Sequence, residues 1–267
     1  MEIFGYIGAL VMGLTLGLLG GGGSILTVPI LVYLFGISPV LATAYSLFIV
    51  GTTSLVGSFQ YHTRKLISYR TAIVFGIPSV ITVYLTRAFV VPAIPQEIVQ
   101  IGSFPVTKDV FIMSLFAILM VFAAVGMFRK SARKEVNSTE SKEISFNYPA
   151  ILMEGLVVGL LTGLVGAGGG FLIIPALVIF SKLDMKLAVG TSLLIIAAKS
   201  LIGFLGDVAN YDMDWTFLGT FILIAIAGIF IGNTLSKKIS ASKLKFGFGV
   251  FVLLMGGYIL VNELILN

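Results

Sequence analysis

Residues 17–29 read GLLGGGGSILTVP, and four consecutive glycines, Gly20, Gly21, Gly22 and Gly23, with Ser24 behind them, interrupt an otherwise apolar run. A glycine inside a helix costs roughly 1 kcal/mol relative to alanine, so the run needs a reason. Glycine lets the chain turn and lets a ligand approach bare backbone N–H groups. A helix that starts there offers unsatisfied donors and the positive end of its dipole. That is the chemistry of anion binding. A second stretch, GLVGAGGGFLIIP at 163–175, supplies Gly166, Gly168, Gly169 and Gly170 in the same pattern. The alternative is glycine for close helix packing, which usually spaces its glycines by four. A run of four followed by serine fits a bend better.

Other side chains qualify as anion contacts. Lys199 lies inside an apolar segment, and an intramembrane lysine is a functional candidate; it stands close enough to the segment end that snorkelling is the competing reading. Ser46, Ser54, Thr191, Ser192 and Ser200 could donate hydroxyls to oxyanions, or could bond back to their own helix carbonyls. His62, beside Arg64 and Lys65, reads as a loop residue rather than a proton relay. Gln60 could face a cavity. Arg87 closes its segment and reads as a plain interfacial charge rather than a steering group. There is no cysteine, so thiolate chemistry and disulfides are excluded. No Ser–His pair, aspartate pair or His/Glu cluster falls inside an apolar segment, so neither an enzyme, a metal site nor a cofactor is expected.

The elements that position these residues are membrane spans. Of the 267 residues, 58% are hydrophobic and 11% charged, against about 25% charged in soluble domains. Apolar stretches near 4–19, 24–35, 40–58, 70–89 and 109–128 precede a polar linker, and stretches near 149–165, 170–180, 187–205, 215–235 and 244–264 follow it. The chain reads as an all-α polytopic membrane protein in a lipid bilayer. MEIFGY at the start lacks the basic region of a cleavable signal. The net charge of +5 sits in short loops, where it sets orientation; no nucleic-acid partner is expected.

The two halves repeat. A shift of 146 positions lays GLLGGGGSILTVPILV on GLVGAGGGFLIIPALV, and 17 of the 41 pairs from 17–57 to 163–203 are identical. The domains are therefore a first transmembrane repeat, 1–128, a cytoplasmic linker, 129–147, and a second repeat, 148–267. Linker residues Arg129, Lys130, Arg133, Lys134 and Lys142 place it inside, as do Lys237, Lys238, Lys243 and Lys245 for their loop. The loop 206–214, with Asp207, Asp212 and Asp214, is acidic; its equivalent at 60–70, with Arg64, Lys65 and Arg70, is basic. Opposite charge on equivalent loops predicts two inverted repeats. Each then consists of a Gly-tipped helical hairpin, re-entrant or fully crossing, plus three transmembrane helices. The second arm is about 12 residues, near 18 Å, short for a core of about 30 Å. The tips, Gly20–Ser24 and Gly166–Gly170, are expected to meet inside the membrane, with no acidic residue deep in the bilayer.

These motifs, together with AVGTSLLIIAAKSLIGFLGD downstream, resemble the sulfite exporter TauE/SafE family, also described as 4-toluene sulfonate uptake permeases. The resemblance spans nearly the whole chain and is weak over 90–108. It implies a secondary transporter in the plasma membrane, the bacterial inner membrane, for a small sulfur-containing anion such as sulfite, a sulfonate or sulfoacetate. It leaves open an anion channel, a carrier of another small organic anion, coupling to a proton or sodium ion, and a homo-oligomer. One departure is local: Tyr45 stands where the second half has Thr191, so the two half-sites are expected to differ.

Overall fold

The structure, a computed structural model, describes residues 2–101, 104–130, 148–179, 181, 183–235 and 241–263. The linker positions 131–147 and the positions 236–240, with most of the basic residues used above for orientation, lie outside the described residues. Among the described residues six helices are long and apolar enough to cross a membrane.

The first half runs α1 (Glu2–Leu19), a 3-10 turn (Gly20–Leu26), α2 (Thr27–Pro29), a π-helical turn (Ile30–Leu34), α3 (Pro39–Thr63) and α4 (Tyr69–Leu85). A second π-helical turn (Thr86–Val90) and α5 (Val91–Ala93) prolong α4, and α6 (Lys108–Lys130) ends the half. The second half runs α7 (Tyr148–Val165), α8 (Gly170–Ile179), α9 (Met185–Val208), α10 (Trp215–Leu235) and α11 (Ala241–Val261). Between α5 and α6 an antiparallel pair, β1 (Glu97–Ile101) and β2 (Phe104–Thr107), departs from the all-helical expectation. It falls in the stretch where the resemblance is weak. Its exposed Glu97 and Gln100 belong to a polar connection, where inter-strand hydrogen bonds replace helical ones.

Residues 3–34 have the composition of one long span, but they fold as a hairpin. Gly20 takes φ +70°, the left-handed conformation that ends α1. Beyond it the chain returns along α1: Gly23 backs onto Leu16 and Thr15, Gly8 onto Ile30, and Gly5 onto Phe35. In the second half Gly166 takes the same φ, +70°, and Gly169 backs onto Thr162 of α7. Gly169 and Thr162 are the positions equivalent to Gly23 and Leu16.

Contacts then exchange between halves. Helix α1 packs on α10, and α7, the equivalent of α1, packs on α4, the equivalent of α10. Four-residue glycine spacing makes both pairs close. Gly13 and Gly17 face Ala225 and Ile229, while Gly228 and Gly232 face Leu10 and Leu14. Gly155, Gly159 and Gly163 face Pro78, Thr82 and Thr86. Small residues let backbones approach where lipid offers no hydrophobic drive. So the packing role of glycine is real along the helix shafts, where its spacing is four residues.

At the centre α3 lies on α9, its own equivalent. A methyl added at Gly57 would stand 3.5 Å from Leu193, one at Gly51 2.8 Å from Leu201, and one at Gly203 3.8 Å from Leu47. As the number rises on α3 it falls on α9, so the two equivalent helices run antiparallel. Apolar side chains on the outer faces, such as Ile73, Ile77 and Ile81 of α4, are exposed, as a lipid-facing surface requires.

Candidate functional site

The two glycine tips touch. A methyl on Gly21 would lie 2.7 Å from Cα of Gly170 and 2.5 Å from Ile196, and one on Gly170 would collide with the Gly21 backbone. The contact is backbone on backbone, halfway along α3 and α9. Gly20 rests on Val189 and Gly166 on Thr43, and these four residues exchange under the repeat shift. Gly168 (φ +64°) lies against Val50 and Ile196, which are again repeat equivalents. Gly20 through Ser24 are all buried. Helix α8 starts at Gly170, so its start lies at this contact; the N–H groups of Leu172 and Ile173 already donate to Gly169 O at 3.0 Å.

The polar side chains around the tips divide into bonded and unbonded sets. On α3, Ser46 and Ser54 flank Val50 at helical spacing; on α9, Ser192 and Ser200 flank Ile196. Because Val50 and Ile196 touch the tips, these stripes line the same region. The hydroxyls of Ser46, Ser54 and Ser200 are buried without a hydrogen-bond partner, as is that of Thr27. Ser192 donates back to Val189 O at 2.8 Å, and Ser24 to Gly21 O at 2.8 Å, so for these two the local back-bond reading holds.

Lys199 does not snorkel. It is fully buried and donates Nζ to Thr162 Oγ1 at 2.8 Å. A methyl at Gly169 would stand 2.8 Å from the same Nζ, so the ammonium lies against the second tip. No carboxylate pairs with it among the described residues. At the equivalent place by the first tip stand Thr53, bonded to Ile49 O at 2.6 Å, and Leu16. The cation is therefore on one side of the pseudo-symmetric centre only.

Thr191 and Tyr45 tie the halves together, and the expectations for Arg87 and Asp207 need correction. Thr191 Oγ1 accepts from Ser68 N at 2.9 Å, at the start of α4, which leaves its own O–H to donate. Its equivalent Tyr45 accepts at Oη from Asp214 N at 2.8 Å, at the start of α10. Ser68 and Asp214 are themselves equivalent, so Tyr45 and Thr191 make corresponding ties, while the half-sites differ at Lys199 and Thr53. Arg87 is no interfacial charge. It is fully buried and donates Nε to Asp207 Oδ2 at 2.7 Å, and Nη1 to Thr43 Oγ1 at 3.0 Å and to Gly163 O at 3.2 Å. Asp207 belongs to the last turn of α9 and is buried, rather than lying in the loop expected at 206–214. The other two candidates lie apart: Gln60 accepts from Asn233 Nδ2 at 2.7 Å, and His62 pairs with Tyr69 at an exposed helix end.

Sequence reasoning missed Arg87 and Asp207 as a pair. Opposite charges near span ends were a weak signal for it, but the partners are 120 positions apart. Cavities of about 330 and 350 Å3 lie along α3, α4 and α9 toward the lipid face, lined by residues such as Ser58, His62, Tyr69 and Ile77, and not at the tips. In this conformation the tips are shut. No cluster of metal-ligating side chains occurs among the described residues.

A helical bundle with buried hydroxyls, a buried cation and irregular backbone held inside protein is the build of a polytopic membrane transport protein. The profile of the family described as Sulfite exporter TauE/SafE matches residues 6–259. The chain belongs to that family, and it is a membrane transporter rather than an enzyme. It is 30% identical over 256 residues to a probable membrane transporter protein of Xylella fastidiosa, covering 93% of this chain and 91% of that one. It is 27% identical to the probable membrane transporter protein MJ0441 of Methanocaldococcus jannaschii (94% of each chain), and 25% identical to YunE of Bacillus subtilis (92% and 93%), also named a probable membrane transporter protein. No solved structure matches the chain.

Proposed function

We propose that the protein is a secondary transporter that carries a small sulfur-containing anion, of the sulfite, sulfonate or sulfoacetate type, across the bacterial inner membrane. The anion would bind where the glycine tips meet, with Lys199, the N–H groups at the start of α8 and the hydroxyls of Ser46, Ser54 and Ser200 as its donors. The observation that carries this reading is Lys199: a fully buried ammonium against a bare glycine tip, with a single hydroxyl as its bonded partner. Burying an unpaired cation costs several kcal/mol, and an anion arriving at Gly169 would offset that cost. The shut tips suit a carrier better than an open channel, because the anion must part them. The antiparallel course of equivalent helices supports the inverted arrangement of the repeats, and hence a site reached from either side.

The test is uptake into vesicles holding the purified protein, with sulfite, sulfoacetate, taurine, thiosulfate and sulfate compared, and with counterflow measured for whichever moves. Saturable uptake with counterflow of at least one sulfur oxyanion is expected. Flux that is linear in concentration would favour a channel. Saturable flux confined to carboxylates would remove the sulfur-anion assignment.

A further inference from the structure

The Arg87 cluster joins four elements at one end of the bundle. Arg87 sits on a π-helical turn (Thr86–Val90) that prolongs α4; such turns recur at functional positions. From there it reaches the end of α9 through Asp207, the start of α3 through Thr43, and the last turn of α7 through Gly163 O. Gly163 lies three residues before the Gly166 turn of the second tip. Asp207 and Arg87 are each fully buried, and theirs is the one salt bridge among the described residues. Arg87 Nη2 and Asp207 Oδ1 have no partner in the closed arrangement. The fastening is strong in charge yet incompletely bonded, unlike a permanent core network.

The repeat shift carries Arg87 onto Asn233 and Gly163 onto Gly17. At that opposite end Asn233 does stand beside Gly17: a methyl on Gly17 would lie 3.0 Å from Asn233 N. There Asn233 Nδ2 donates to Gln60 Oε1 at 2.7 Å. Both residues are half-buried. The place that holds a buried ion pair at one end thus holds a half-exposed neutral amide pair at the other, with Gln60 next to Tyr61, the equivalent of Asp207.

We propose that Arg87 and Asp207 form the gate of one mouth of the transport path, and that Asn233 and Gln60 form the weaker gate of the other, a proposal that rests on the alternating carrier described above. Opening the Asp207 end requires α9 and the second hairpin to part from Arg87. Opening the Asn233 end breaks the Asn233–Gln60 amide contact, which solvent already reaches. The two mouths open with unequal ease, and the ion pair sets the difference.

Ala167, fully buried at the second tip, reports opening when made the sole cysteine of a chain that has none. Ala167→Cys protein in vesicles is treated with a charged, impermeant thiol reagent from each face in turn. Adding Arg87→Gln with Asp207→Asn should speed labelling from the Asp207 face at least tenfold and leave the opposite face unchanged. Arg87→Lys, which keeps the charge but loses the fork, should give an intermediate rise. An unchanged rate in folded protein, or an equal rise from both faces, overturns the proposal. So does failure of both variants to assemble, since the pair would then be a fixed brace. The readout uses no substrate, so it remains decisive even if every sulfur anion in the uptake panel fails to move.

Discussion

Lys199 offers three donors and uses one, on Thr162 Oγ1. Replacing it tests the site most directly. Lys199→Ala should lower apparent affinity for the transported anion by roughly 10- to 150-fold, the equivalent of about 1.5–3 kcal/mol for one hydrogen bond to a charged group. The measurement is initial uptake rate against concentration, on protein whose elution and thermal transition match the parent. Unchanged transport would assign Lys199 a structural role. This residue was legible in the sequence because a charge inside an apolar run has few explanations. Arg87 and Asp207 were not. A span read from hydropathy ends where charge begins, so a charged residue in the last helical turn looks like the start of a loop. Only contact between residues 120 positions apart turns that reading into a buried pair. The serines were half legible: their stripe on each helix follows from four-residue spacing, but whether a hydroxyl bonds its own helix depends on rotamer, and Ser192 and Ser46, equivalent in sequence, differ in this.

Among the elements, the glycine tips were read where they lie, since glycine runs have no place in a straight helix. The β1–β2 hairpin was not, because its two short strands, EIVQI and FPVT, carry no alternation strong enough to mark strands. Less visible still were the bonds that tie one half to the start of a helix in the other. Thr191 accepts from Ser68 N and Tyr45 from Asp214 N, so each repeat holds the opening N–H of a helix in its partner. Tyr45→Phe and Thr191→Val should each lower stability by about 1 kcal/mol, the worth of a typical buried hydrogen bond. The two sites share no partner, so the double variant should lose close to the sum. Thermal or denaturant unfolding in detergent is the measurement. A double variant no less stable than either single one would mean that the two bonds are not independent ties.

For the whole molecule the central prediction concerns direction across the bilayer. Single cysteines at Thr63, the exposed end of α3, and at Asp212, exposed between α9 and α10, should be labelled from opposite faces of intact cells by an impermeant reagent. Labelling of both from one face would rule out inverted repeats, whatever the helix packing. The loop charges predict this arrangement, and the antiparallel course of α3 and α9 supports it. What the sequence could not convey was that at the central seam the two tips meet backbone to backbone, Gly21 against Gly170. A contact of that kind cannot be retuned by substitution, because every replacement for hydrogen adds bulk at a place without room. Over the history of such a scaffold, preference for one anion over another would have to arise in the walls, at positions such as Ser46, Ser54, Thr162 and Lys199, while the seam itself stays chemically mute. A duplicated chain built this way can change its cargo one wall residue at a time without relearning how to open.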